Sequence, residues 1–118
     1  MQYDPTNIFA RILRGEIPNK TIYEDDYALA FYDIAPQAPV HALVIPKGEF
    51  INIYDFASHA GAAPQAGFWQ AVTKTVDALG LTEKGFRIIA NTGADGGQEV
   101  PHFHVHILGG KPVGRMVS

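Results

Sequence analysis

Three histidines alternate with apolar residues in His102-Phe103-His104-Val105-His106-Ile107-Leu108. In a strand successive side chains face opposite sides, and residues two apart rise by roughly 6.5 to 7 Å. The three imidazoles therefore share one face, and Phe103, Val105 and Ile107 share the other. The apolar set suits a core. The imidazole row does not, because burying such rings without partners costs free energy that an apolar residue avoids. Two chemistries use a row of this kind. Alternate histidines can ligate a metal, imidazole being a common zinc ligand. Alternatively, one neutral imidazole attacks an electrophile while its neighbours position and protonate the substrate. The preceding loop favours the second: Gly93, Gly96 and Gly97 allow close backbone approach and positive φ, so amide N–H groups can face an anion, and Asn91 adds a side-chain amide. No carboxylate clearly completes a metal site, although Glu99 and Asp95 stand near enough in sequence to keep that chemistry open.

The elements that must position this row are short. Asp4 or Thr6 is the expected cap of a first helix, with Pro5 suited to the first turn, Ile8, Phe9, Ile12 and Leu13 on one apolar face, and Gly15 as its stop. Strands are expected over Thr21 to Glu24, Tyr27 to Asp33 and His41 to Ile45, the first two separated by an Asp25-Asp26 turn. A second helix is expected from about Pro64 to Leu79, with Phe68, Val72, Val76 and Leu79 along one face and Gly80 at its end. Phe86 to Asn91 and His102 to Leu108 complete five strands. Several strands joined by short turns, with two helices, predict an α+β fold on a mainly antiparallel sheet.

At 118 residues the chain has the length of one domain, 1–118. With 47% of residues hydrophobic and 18% charged it has a globular composition. The formal charge of −3 argues against a phosphate-tracking nucleic-acid surface, but not against one small phosphorylated ligand held by neutral donors. Without cysteine there is no disulfide framework and no thiolate metal site. Met1 to Arg14 lacks the pattern of a signal peptide and no stretch has the length of a membrane span, so a cytoplasmic protein without membrane partners is expected.

The run from His102 to Leu108 resembles the signature of the histidine triad family. The likeness extends to Phe31-Tyr32-Asp33-Ile34-Ala35-Pro36-Gln37-Ala38-Pro39-Val40-His41 and Leu43-Val44-Ile45-Pro46-Lys47, which look like the family's nucleoside-binding strand and loop. Asn91, Gly96-Gly97-Gln98 and Gly109-Gly110 resemble the histidine triad nucleotide-binding (Hint) branch in particular. From Ile8 to Gly110 these blocks keep the family's order.

The resemblance implies roles. His104, the middle histidine, would attack the α-phosphorus, its second ring nitrogen held by the backbone carbonyl of His102. His106 would bond the phosphate or the departing group, and His102 and His41 would support. Asn91 and the backbone at Gly97 and Val100 would contact phosphate oxygens. Ile8, Phe9, Ile12, Ile17, Phe31 and Ile34 match the family's purine cleft, and Asp33 its ribose-binding carboxylate. Glu99 stands where relatives of this branch often have a phosphate-contacting serine, and no phosphate role is expected of it. The tail from Lys111 to Ser118 lacks the tryptophan-containing ending of some relatives. A twofold homodimer through the long helix and an adjacent strand is implied, with Phe68, Val72, Val76 and nearby Trp69 as the expected patch. The implied activity is hydrolysis of a purine nucleoside phosphoramidate through a covalent nucleotidyl-histidine. The alternatives are a dinucleoside polyphosphate hydrolase, a non-catalytic nucleotide-binding regulator, and a zinc protein. No cofactor is required by the leading reading, and His41 with His102 is the pair considered for zinc. Isolated His59 belongs to no motif and is expected to have no site role.

Overall fold

The computed structural model describes residues 2–117, so Met1 and Ser118, the outermost residues of the expected domain, lie outside the described residues. The element order is α1 (Ile8–Leu13), β1 (Thr21–Glu24), β2 (Ala28–Tyr32), β3 (Val40–Pro46), α2 (Ile53–His59), α3 (Ala62–Leu79), β4 (Arg87–Ile89) and β5 (Val105–Gly109). The strands form one five-stranded antiparallel sheet in the order β1-β2-β3-β5-β4.

The sheet is covered on both faces at its centre, which is why β2 and β3 are nearly continuous apolar runs. Ala28, Ala30, Ala42 and Val44 face α3 together with Val105 and Ile107 of β5. Their alternating neighbours Leu29, Phe31, Leu43 and Ile45 face the other way, onto Phe9 and Ile12 of α1. The alanines of β2 and β3 bring the sheet close to α3. Within α3, Gly67 makes room for the Tyr27 ring, since a Cβ there would lie 2.3 Å from it. The helix ends at Gly80, whose φ of 70° is the left-handed conformation expected of a C-terminal glycine.

Four expectations change. First, there are three helices rather than two. Helix α2 buries only Phe56, so it carries too little apolar periodicity to announce itself. Second, α1 is capped by Asn7, whose Oδ1 accepts from Ala10 N at 2.9 Å; Asp4 instead closes the turn before it, accepting from Thr6 N and Thr6 Oγ1. Third, the patch assigned to a second subunit is already covered. Phe68, Val72 and Val76 are buried against the chain's own sheet, and only Trp69 of that group is substantially exposed. Its neighbours in α3 face inward because an 18-residue helix lying on a sheet presents its apolar stripe to that sheet first. Phe86 and Ile88, at and beside the edge strand β4, are also left exposed.

Fourth, the histidine strand starts late. The ladder to β3 runs from Val40↔Gly109 to Val44↔Val105, and continuing it would set Phe103 opposite Pro46, which has no N–H to give. Instead Phe103 N donates to Phe50 O at 2.7 Å. The Phe103 ring packs on Phe56 at 5.0 Å and Phe68 at 5.1 Å between centroids, deep in the core. Alternation of faces survives without the ladder: Phe103, Val105 and Ile107 go to the α3 side, and the histidines to the α1 side.

Among the described residues no helix is long and apolar enough to cross a membrane. The C-terminal tail is tied to β4 by Arg87, whose guanidinium donates to the Gly114 and Arg115 carbonyls, both at 2.8 Å.

Candidate active site

A cleft of about 480 Å³ opens between α1, the end of β2 and the glycine loop before the histidines. Its volume suits a small organic ligand. Ile8, Phe9, Ile12 and Ile17 line one wall; Phe31, Asp33 and Ile34 line another; Asn91, Gly97, Val100, His104 and His106 close it. Phe9, Ile12 and Phe31 are buried and serve core and cleft together, whereas Ile34 is 98% exposed at the lip. An apolar side chain left that open gains burial only when something enters beside it. Leu43 and Gln37, from the blocks that resemble the family's nucleoside-binding strand and loop, also line the cleft, as does Glu99, of which no phosphate role was expected. Glu99 brings negative charge to the side where a phosphate was expected, and its field opposes the lowering of the His104 pKa.

His102 and His41 do not line the cleft; they stand behind it, 1% and 4% exposed. Their hydrogen bonds nevertheless decide the state of the two rings that do. The carbonyl of Pro46 can only accept, so His102 Nε2 carries the proton and donates to it at 2.9 Å. His102 Nδ1 is then an acceptor, and the Tyr3 hydroxyl donates to it at 2.6 Å. The His102 carbonyl accepts from His104 Nδ1 at 2.7 Å, the contact implied by the resemblance. With its proton placed on Nδ1, His104 keeps a lone pair on Nε2, and no described residue occupies it.

A parallel chain of bonds fixes His106. Gln37 N–H donates to His41 Nδ1 at 3.0 Å, which puts the His41 proton on Nε2. That proton is donated to His106 Nδ1 at 2.9 Å, and Asp33 Oδ2 lies 3.4 Å from His41 Nε2. His106 must then carry its own proton on Nε2. The pair of cleft-lining rings is thus one lone-pair donor and one N–H donor, 5.1 Å apart between centroids.

Burial keeps these rings neutral. Desolvation pushes the His102 and His106 pKa values down to about 4, against their hydrogen bonds or nearby charge, and His106 is lowered further by His104 and His41. His104 is also lowered, again mainly by desolvation, opposed by the bond to the His102 carbonyl and by Asp33 and Glu99. Since the unfolded chain protonates histidine near its ordinary value, the stability contributed by neutral His102 is complete above pH 6.5 and is lost as pH falls towards 4. This amounts to about 3 kcal/mol. Denaturant unfolding at pH 7 and pH 4.5 should show that loss. An NMR titration placing His102 at the ordinary value would refute its cause.

The expected phosphate contacts are only partly free. Gly97 N–H donates to Ala94 O at 3.1 Å and so is turned inward, with Gly97 at φ 75°. Asn91 Nδ2 donates to Gly96 O at 2.6 Å, which leaves its second N–H for a ligand. Gln98 holds the loop: its amide donates to Ile51 O and Val100 O and accepts from Gly93 N. Gln98 belongs to the Gly96-Gly97-Gln98 block that carries the resemblance, which gave it no role of its own.

Three ligating atoms, from Asp33, His41 and His106, lie within 4.8 Å of one another. The pair considered for zinc, His41 and His102, is not brought together in that cluster, because both ring nitrogens of His102 are bonded elsewhere. His59 lies on α2 paired with Asp55 at 2.8 Å, away from the cleft.

Comparison with known proteins gives a consistent result. The family model described as HIT domain matches residues 14–113. An uncharacterized HIT-like protein of Azospirillum brasilense is 51% identical over 98% of this chain and 95% of its own length. The purine nucleoside phosphoramidase of Escherichia coli is 43% identical over 94% of this chain and 92% of its own. Among solved structures, a HIT family hydrolase from Clostridium thermocellum superposes with a TM-score of 0.87 at 37% identity, covering 96% of this chain and 97% of that one.

Proposed function

Because this chain belongs to the HIT domain family, we propose that it is a nucleotide hydrolase that cleaves purine nucleoside phosphoramidates through a nucleotidyl group carried on His104 Nε2. The observation that carries this reading is the tether of His104 Nδ1 to the His102 carbonyl, which leaves Nε2 as a lone pair in an apolar cleft beside an N–H donor. The relative named purine nucleoside phosphoramidase supports the substrate class.

A purine enters between the α1 side chains and Ile34, and the ribose diol meets the Asp33 carboxylate. Asn91 and the backbone near Val100 meet the phosphate. His104 Nε2 attacks phosphorus, forming one P–N bond as the bond to the departing amine breaks. The positive charge that develops on the ring is eased through Nδ1–H to the His102 carbonyl. The departing nitrogen takes a proton from solvent, steadied by a hydrogen bond from His106 Nε2–H, and leaves as the amine; water then attacks phosphorus, gives its proton back to solvent and releases His104. No step calls for a metal. A panel of adenosine and guanosine phosphoramidates set against diadenosine polyphosphates, each with EDTA present, tests the reading. Turnover of the polyphosphates alone would replace it with a polyphosphate hydrolase, and loss of turnover in EDTA would replace it with a metal enzyme.

Asp33 has a separable role. Its Oδ1 accepts from Ala35 N at 2.8 Å and holds the following turn. Asp33→Asn keeps an oxygen for that bond while removing the charge offered to the ribose. Losing a charged acceptor should cut the preference for ribose over deoxyribose by roughly ten- to hundredfold. An unchanged preference in both Asp33→Asn and Asp33→Ala would take Asp33 out of substrate recognition.

A further inference from the structure

Ninety-nine positions before His102 in sequence, Tyr3 meets it edge-on, with ring centroids 5.7 Å apart at 71° and the hydroxyl 2.6 Å from Nδ1. The segment that delivers Tyr3 is built for it. Asp4 Oδ1 gathers Thr6 N and Thr6 Oγ1, Asn7 Nδ2 donates back to Asp4 O at 2.8 Å, and Arg14 reaches from the end of α1 to Pro5 O at 2.9 Å. The helix it leads into carries Phe9, which stands edge-on to His104 at 4.9 Å. Tyr3, α1, His102 and His104 therefore pack as one block.

We propose that Tyr3 is a positioning residue for the reaction at His104. By donating to His102 Nδ1 it satisfies the ring nitrogen that Pro46 does not reach, holds the ring where its Nε2–H anchors on Pro46, and so keeps the His102 carbonyl where His104 Nδ1 needs it. The inference rests on the function proposed above. The physical reason is a conflict that appears once the hydroxyl is removed. His102 Nδ1 becomes a buried acceptor with no donor, a cost the ring relieves by turning Nδ1 towards water. Turning draws Nε2–H away from the Pro46 carbonyl, and the anchor is lost. The ring and its backbone shift together, because the carbonyl that orients His104 belongs to the same residue. Tyr3 itself does not line the cleft, so nucleotide binding has no direct reason to change.

Two variants separate this role from simple packing. Tyr3→Phe keeps the ring and removes only the O–H, leaving Nδ1 sealed and without a donor. Tyr3→Ala opens a space that water can enter, and a water can donate to Nδ1 in place of the phenol. The expected order is therefore inverted from that of a packing residue. Tyr3→Phe should lower kcat roughly tenfold with KM within about twofold. Tyr3→Ala should keep more of kcat while losing more thermal stability. In the nucleotide-free protein, ring ¹⁵N signals should show His102 Nδ1 losing its hydrogen bond and the Nε2–H bond to Pro46 weakening in Tyr3→Phe. A Tyr3→Phe protein with wild-type kcat, or one that loses less than Tyr3→Ala, would assign Tyr3 to packing and overturn the proposal. A wild-type protein inert towards phosphoramidates would defeat the proposed function instead. The ¹⁵N signals would still decide the role of Tyr3, an unchanged His102 Nε2–H signal in Tyr3→Phe overturning it.

Discussion

His104→Ala is expected to lower turnover by at least about a thousandfold while leaving the affinity for a purine nucleotide within a few fold. The asymmetry follows from where the ring stands. The base and sugar are met by the side chains of α1 and by Phe31, Asp33 and Ile34, all of which survive the substitution. What disappears is the one ring whose Nε2 lone pair opens on the cleft while Nδ1 is tied back to the His102 carbonyl at 2.7 Å. His106 cannot take over, since its Nδ1 accepts from His41 and its Nε2 holds the proton. With a nucleotidyl group carried on His104, hydrolysis runs as two displacements. Each inverts phosphorus, so a chiral phosphorothioate substrate should be hydrolysed with overall retention. Denaturation without acid, followed by mass spectrometry, should find the nucleotide on the peptide containing His104. Net inversion, or a His104→Ala protein that turns over at near wild-type rate, would sink the covalent route.

How much of this site the sequence could reveal depended on the range of the interaction concerned. Alternation is local, and it placed His102, His104 and His106 on one side even though the ladder ends at Val105, because Phe103 is pulled into the core whether or not it is paired. The apolar runs of β2 and β3 were equally readable, a sheet covered on both faces needing little else. Helix α2 was missed since its single buried residue leaves no periodic trace. Its start was nonetheless written in Asn52 and Asp55: Asp55 N donates to Asn52 Oδ1 and Ile51 N to Asp55 Oδ2, both at 2.8 Å, a polar cap that could have been weighed. The dimer patch was misread for a related reason. Helical spacing says that Phe68, Val72 and Val76 share a face, but not whether that face meets a sheet or a second subunit. Tyr3 and Gln37 were beyond reach altogether, because their value lies in which nitrogen of a histidine they touch. A tautomer is a tertiary fact. The resemblance supplied His104 as the attacking ring, and the hydrogen bonds from Gln37 and Tyr3 give a physical reason why its neighbours are held in complementary states.

His106→Ala should depress kcat by roughly a hundred- to a thousandfold for substrates with strongly basic amine leaving groups, and far less for those with good ones. The distinction arises from the bond that this ring serves. A departing alkylamine cannot leave as an anion and requires a proton in the transition state, whereas an electron-poor arylamine or a phenolate carries its own charge away. His106 is fitted to steady the nitrogen as it takes that proton from solvent, by a hydrogen bond from the Nε2–H of its neutral ring. Its Nδ1 is filled by His41 at 2.9 Å, and burial with the nearby His104 and His41 brings its pKa down to about 4. At neutral pH it is therefore not an imidazolium. Two consequences can be measured. The wild-type acid limb should lie below the ordinary histidine value of 6.5, because protonating His104 or His106 removes a needed neutral ring and both are lowered by burial. The dependence of log kcat on leaving-group pKa should be shallow in the wild type and steep in His106→Ala. His41→Ala should fall between the two, since it removes only the donor that sets the His106 tautomer. Equal loss across all leaving groups in His106→Ala would assign His106 to binding the phosphate rather than to the departing nitrogen. The order of the three proteins along the leaving-group series is thus the measurement that separates a leaving-group contact from an anion contact.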